Sequence, residues 1–199
     1  MKSNICRIEN GTKDLAAILK ESEKVAVYNE LSSKQANQLR LLCEEIDGML
    51  PHIIEEFSGD FWIEYEQGQC KVNVSIELMD LNTSKKEELI SIAKNKQNAA
   101  AVGLSGKIRS AIENFFLVDE VPQDFAMATG IYGFATGSIH AIDYTYYWSL
   151  NQYRYNVNRD EQAEQWDELE KSLLASLADD IIVGVKGNKA DIVIVKNFA

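Results

Sequence analysis

Two adjacent carboxylates, Glu44 and Glu45, lie inside the otherwise apolar stretch LRLLCEEIDGMLPHI. At about 100° per residue, one helix face collects six apolar side chains: Leu39, Leu42, Ile46, Met49, Leu50 and Ile53. Glu44 projects from the opposite side and is expected to be solvated. Glu45 falls at the edge of the apolar face, where a partly desolvated carboxylate suits general-base chemistry. The alternative is a boundary residue whose carboxylate reaches water.

The remaining residues with metal-binding or nucleophilic chemistry are few and scattered. Only His52 and His140 could supply imidazole, and the three cysteines, Cys6, Cys43 and Cys70, form no CxxC pair. This spacing does not favour a zinc site. It is typical of free, buried thiols in a reducing cytosol.

Net charge and hydropathy narrow the class of partner. The 199 residues carry a formal net charge of −11, so the chain has no electrostatic reason to bind nucleic acid or an anionic membrane. An acidic surface favours solubility and, as an alternative, a basic protein partner.

No segment has signal-peptide character, and no run reaches the roughly 20 apolar residues of a membrane helix. We therefore expect a cytoplasmic protein.

The hydrophobic pattern predicts an α+β fold. A strand at NICRIEN is followed by a helix and by a longer helix that begins at the S-x-x-Q capping box of Ser32 and Gln35. Pro51 is expected to kink this helix or end its regular part. FWIEYE and CKVNVSIEL alternate as one hairpin, and DIIVGV with ADIVIVKNF forms another. We expect a two-layer sandwich with helices on one face of a mixed, mostly antiparallel sheet.

The length is compatible with a single domain over residues 1–199, and no internal repeat is apparent. Residues from about 118 to 158 are rich in aromatic and small side chains and contain few charges. This segment could form a strand pair, a lid or an interface, although aromatic residues are also ordinary core. We interpret it as a variable lid or insertion.

The order of elements resembles the Bergerat-fold (GHKL) ATP-binding domains, and the layout is most similar to that of the anti-sigma-factor serine/threonine kinases. QANQLRLLCEEIDGML aligns with the helix that carries the family glutamate, and Glu45 falls on that residue. In the family this glutamate activates water or orients a hydroxyl for phosphoryl transfer. Four positions later the family has an asparagine that helps to hold Mg²⁺. This chain has Met49, whose thioether is a poor ligand for a hard cation, so the resemblance implies ATP but does not favour Mg²⁺.

The resemblance also implies residues that contact the adenine. Asp80 in IELMDLNTS stands where the family aspartate accepts a hydrogen bond from the adenine amino group, although the two family glycines are missing. An Asx turn is the alternative for Asp80. Asn98, farther along the chain, is polar enough to line a lid.

A third motif, GLSGKIR, leads into the helix KIRSAIENFF and implies a phosphate-binding loop. Gly103 and Gly106 permit close approach of a phosphate to backbone N–H groups, Ser105 is a candidate cap, and Lys107 adds positive charge. A tight turn at the entry of a helix is the alternative.

Two functions are compatible with these residues. The first is a nucleotide-binding regulatory protein, which could act as an ATP-dependent kinase or ATPase with Glu45 as the base. The second is a protein-binding module that keeps the fold without turnover of ATP. Its partner would be a sigma factor or another regulator, and a homodimer is open in either case.

Overall fold

The computed structural model of the chain describes residues 1–10, 15–54, 56–77, 103–117, 131–133, 146–157, 172–186 and 188–198. Its helices and strands follow in chain order: β1 (Cys6–Glu9), α1 (Leu15–Tyr28), α2 (Ser33–Ile53), β2 (Ser58–Glu66), β3 (Gln69–Glu77), α3 (Gly103–Leu117), β4 (Ile131–Gly133), β5 (Tyr146–Ser149), α4 (Leu150–Val157), α5 (Leu173–Leu177), β6 (Asp180–Lys186) and β7 (Lys189–Asn197).

The strands form one seven-stranded sheet in the order β1-β2-β3-β7-β6-β5-β4. Each neighbouring pair in this order is antiparallel. The general α+β class is therefore confirmed. The expected mixed sheet is not what these strands make, because none of their pairings is parallel. The two hairpins, β2–β3 and β6–β7, form the centre of the sheet, and strands joined by a tight turn are antiparallel.

One face of the sheet carries the core. Alternate residues of the central strands point to this face and are almost fully buried, including Phe61, Val74, Val183 and Ile192. They join apolar side chains of all five described helices in one hydrophobic cluster. The period of two in the sequence therefore places the strands' apolar residues against the helices.

Local sequence signals set the boundaries of α2 and of the first hairpin. Ser32 accepts a hydrogen bond from the Gln35 N–H, and the Gln35 side chain accepts one from the Ser32 N–H, which confirms the capping box. Pro51 lies in the last turn, and the helix ends at Ile53. In the hairpin, Gln67 (φ 49°) and Gly68 (φ 82°) both have positive φ, as a two-residue type I′ turn requires.

The sheet is built from two similar halves. The first half runs β1-α1-α2-β2-β3, and the second runs β5-α4-α5-β6-β7 in the same order. β3 spans 69–77 and β7 spans 189–197, so each residue of β3 has a counterpart 120 positions later. Asn73 pairs with its own counterpart, Val193, in the middle of the β3–β7 contact. The halves are thus related by an approximate two-fold axis through that pair.

Candidate functional site

The start of α3 collects four of the predicted ligand-binding residues. The helix begins at Gly103, four residues before the expected start, so Ser105 and Gly106 lie inside it and not in a loop. The reason is packing: Leu104 and Ile108 are buried and extend the apolar stripe of the helix toward its N-terminus. Ser105 therefore does not cap the helix from the preceding loop, and the prediction of a glycine-rich phosphate loop is wrong on this point.

The geometry still leaves a polar helix end. Gly103 has φ +73°, a left-handed conformation that a side chain would strain, and a Cβ atom built there would meet nothing within 4 Å. The first N–H groups of any helix lack acceptors within the helix, and the helix dipole makes this end positive. The first turn of α3 can therefore attract an anion.

Lys107, at the end of that turn, adds a full positive charge. Its Nζ atom lies 5.2 Å from the centroid of the Tyr153 ring. Burial lowers the pKa of the Lys107 ammonium. Within the described part of the chain no carboxylate forms an ion pair with Lys107, whereas Arg109 on the same helix pairs with Glu113 at 2.9 Å. Lys107 is thus a partly desolvated cation held by an aromatic ring.

The aromatic ring beside Lys107 belongs to the core. Tyr153 on α4 is 5% exposed and Trp148 on β5 is 1% exposed. Their ring centroids are 6.2 Å apart, with the planes inclined by 44°. Both residues fall in the 118–158 segment, whose described parts form the β4–β5 strand pair and helix α4. No local motif links Tyr153 to Lys107, so sequence reasoning could not identify this contact.

Glu45 lies on the side of α2 that faces away from α1. Arg40 on α2 reaches Glu23 of α1 at 3.5 Å. Five positions later, Glu45 projects about 140° away around the helix and is half-buried. Its side chain makes no hydrogen bond or ion pair with Lys107 or Ser105. The structure therefore puts Glu45 on a helix that packs against α3 but does not join it to the α3 start.

Glu44, Asp80 and Asn98 are the remaining residues that the sequence singles out. Glu44 is one-third exposed and pairs with Arg40 at 3.0 Å, as expected for a solvated carboxylate. Asp80 and Asn98, the predicted adenine and lid residues, lie outside the described residues.

The described ranges contain no cluster of three or more His, Cys, Asp or Glu side chains that could hold a metal ion. All three cysteines are free thiols; Cys43 and Cys70 are buried, and Cys6 is partly exposed. Burial raises the pKa of Cys70 to about 12 and that of Cys43 well above its ordinary value. None of the described helices is long and apolar enough to cross a membrane.

Comparison of the chain with models of protein families, with curated proteins and with solved structures found no match.

Proposed function

We propose that the protein is a regulatory protein that binds a nucleotide, with ATP as the first ligand to test, and that the phosphates bind at the start of α3. The observation that carries the proposal is the half-buried Lys107 ammonium, which has no carboxylate partner among the described residues and adjoins the N-terminal turn of a helix. Backbone N–H groups and a cation on one helix end are a general means of holding phosphate.

The Bergerat-type arrangement belongs to this proposal. In that arrangement the base of the nucleotide would lie toward the Asp80 segment, and Glu45 would face the terminal phosphate as the candidate base. Met49 replaces the family's magnesium-binding asparagine, which supports nucleotide binding without metal-dependent phosphoryl transfer. The sigma factor or similar regulator would then respond to whether nucleotide is bound.

Thermal stability in the presence of ATP tests this function. A ligand at 100 times its dissociation constant adds about 2.7 kcal/mol to the free energy of unfolding. We expect millimolar ATP or ADP to raise the melting temperature of the native protein, with and without Mg²⁺. Lys107→Ala should lose this shift. Arg109→Ala is the matched control, because Arg109 lies on the same helix and its charge is neutralised by Glu113.

Two results would contradict nucleotide binding at α3. One is the absence of any shift at millimolar ATP. The other is an equal shift in the native protein and in Lys107→Ala, which would move the ligand elsewhere. If ATP binds and is turned over, Glu45→Ala should abolish turnover while leaving the thermal shift largely intact. Unchanged turnover in that variant would remove Glu45 from the chemistry.

A protein-binding module without nucleotide is the second candidate, and a separate observation favours it. Val27 and Tyr28, adjacent at the end of α1, are 80% and 73% exposed. Exposed neighbouring apolar side chains are typical of protein-contact surfaces. Under this alternative ATP gives no thermal shift, and Val27→Ser with Tyr28→Ser weakens binding of a regulator while the fold is kept.

A further inference from the structure

The two ends of the sheet differ although the halves are alike. In the second half the outermost strand of the repeat, β5, is covered by one more strand, β4. The corresponding strand of the first half is β1, which lies at the end of the sheet order. In the described ranges no further strand pairs with it. By the approximate two-fold relation, the position beside β1 is where a strand equivalent to β4 would lie.

The backbone of β1 is oriented to accept such a strand. Asn10 donates its N–H to the Phe57 carbonyl, and the register pairs Ile8 with Gly59. In an antiparallel ladder the residues of one strand alternate between facing the partner and facing away. Arg7, between the inward-facing positions, therefore directs its N–H and C=O away from β2. An edge of this kind is a template for pairing with another chain.

The side chains along β1 are also accessible. Ile5 is 58% exposed, and about half of the Arg7 side chain is exposed. Tyr28 and Val27, the apolar pair at the end of α1, lie near the same edge, because the neighbouring Asn29 contacts the sulfur of Met1 at 3.4 Å. Met1 in turn pairs with Tyr65 of β2 through its backbone.

We propose that β1 pairs antiparallel with β1 of a second copy of this chain, forming one continuous sheet across a weak dimer. The charges on β1 are self-complementary. Arg7 and Glu9 lie two residues apart on the same strand, and Glu9 already acts on Arg7 within the chain. If Ile8 of one chain lies directly opposite Ile8 of the other, each Arg7 lies opposite Glu9 of the other chain. The backbone N–H and C=O groups of both Arg7 and Glu9 point away from β2, so this register also allows hydrogen bonds between the two chains.

The small buried surface of this contact and the net charge of each chain predict a weak dimer. A four-residue strand with adjoining apolar side chains buries less surface than a permanent dimer needs. The net charge of −11 on each chain opposes association at low ionic strength. The dimer is therefore concentration-dependent, and it tightens as salt is raised from low to about physiological strength, at which the screening length is about 8 Å.

Sedimentation equilibrium over a wide concentration range measures this association. The native chain has a mass of 22.4 kDa, and we expect the average mass to rise toward twice that value as protein concentration increases. Arg7→Pro removes the outward N–H without removing a hydrogen bond to β2, and should leave a monomer. Arg7→Ala is the matched control: it loses the same side chain but keeps the N–H, and should still associate.

Charge reversal provides a test that does not depend on proline at position 7. Arg7→Glu places two negative charges opposite each other in both symmetry-related pairs of positions 7 and 9, and should weaken the dimer about tenfold. Combining Arg7→Glu with Glu9→Arg restores opposite charges and should recover association. Circular dichroism verifies that each variant is folded. A native chain that stays at 22.4 kDa at every concentration, or a double variant no tighter than Arg7→Glu, overturns the proposal.

Discussion

Glu21 is a carboxylate that the fold almost fully removes from water. It accepts hydrogen bonds from the backbone N–H and the side-chain amide of Asn4, at 3.1 and 3.2 Å, and from Lys24. Burial alone pushes the pKa of Glu21 upward, but the hydrogen bonds from Lys24 and Asn4 outweigh it, so the pKa lies below its ordinary value. The charged form therefore ties the N-terminal segment to α1.

This balance predicts a stability change that depends on pH. Glu21→Gln should lower the free energy of unfolding at pH 7 by about 1–3 kcal/mol, since the hydrogen bonds from Asn4 and Lys24 lose a charged acceptor. A depressed pKa contributes stability that is present above the unfolded value, about 4.3, and is lost as pH falls through the folded value. The difference between native and variant should thus shrink in acid.

Urea unfolding at pH 7 and at pH 3 measures the effect of Glu21→Gln. Glu23→Gln is the control, because Glu23 lies on the same helix but is mostly exposed and pairs with Arg40 only at the surface. Equal losses in the two variants, or a Glu21 effect that grows in acid, would contradict the account.

The thiols give a second prediction at the scale of single residues. With a pKa of about 12, Cys70 is ionised at pH 8 to about one part in ten thousand, and only the thiolate attacks a disulfide reagent. We expect Ellman's reagent to label one thiol per folded chain quickly, namely Cys6, and all three after unfolding. Cys6→Ser should abolish the fast phase. Rapid labelling of two or more thiols in the folded native protein would show that Cys43 or Cys70 is accessible.

At the scale of helices and strands, Asp180 at the start of β6 caps the first turn of helix α4. Its carboxylate accepts hydrogen bonds from the Ser149 hydroxyl at 3.0 Å and from the Asn151 N–H at 2.9 Å. The Asn151 N–H belongs to the first turn of α4, where the helix itself offers no acceptor. Asp180 thus joins the second hairpin to the helix that carries Tyr153.

Removing this cap tests its role. Asp180→Ala should lower the free energy of unfolding by about 0.5–2 kcal/mol, because it removes the carboxylate that accepts hydrogen bonds from the Asn151 N–H and the Ser149 hydroxyl. Asp60→Ala is the control: Asp60 is the counterpart of Asp180 in the first half, but it forms a surface pair with Arg7 at 3.2 Å, which contributes about 0–1 kcal/mol. Chemical unfolding followed by circular dichroism compares the two. A larger loss in Asp60→Ala would contradict this assignment.

How far the sequence predicts an element depends on where its stabilising contacts lie. The buried face of α2 and the β2–β3 hairpin were predicted because their signals are local: a capping box, a period of 3.6 or two, and a turn at Gln67 and Gly68. The start of α3 was missed because two glycines, which disfavour helix, are outweighed by the burial of Leu104 and Ile108. The Lys107–Tyr153 contact was missed because it joins two helices, α3 and α4, that are far apart in the chain.

At the scale of the whole molecule, the two-fold relation between the halves was not apparent in the sequence. Between residues 58–77 and 178–197, Asp60 and Asp180 are the single identical pair. What the halves share is the pattern of inward positions, with Phe61 and Ile63 matched by Ile181 and Val183. Many apolar residues satisfy such positions equally well, so the repeat becomes visible only when strand pairing sets the register.

The halves share one core across β3 and β7, and this predicts a single cooperative unfolding transition. Ile194 on β7 is fully buried and pairs with Val72 of the other half. Ile194→Ala should lower the free energy of unfolding by about 2–5 kcal/mol, and the loss should affect both halves together. Lys189→Ala, on the same strand but exposed and paired with Glu77 at the surface, should change little.

Fluorotryptophan labelling distinguishes the halves, because Trp62 lies on β2 and Trp148 on β5. The chain has three tryptophans, and the resonances of Trp62 and Trp148 report on the two halves. When urea unfolding is followed by fluorine NMR, these two native resonances should disappear at one midpoint in the native protein and at one lower midpoint in Ile194→Ala. The long β3–β7 pairing leaves neither hairpin a complete sheet once the other unfolds, and an exposed pair of strands is barely stable alone. Two separate midpoints would mean that each half folds independently, and that the contact between them adds little to either.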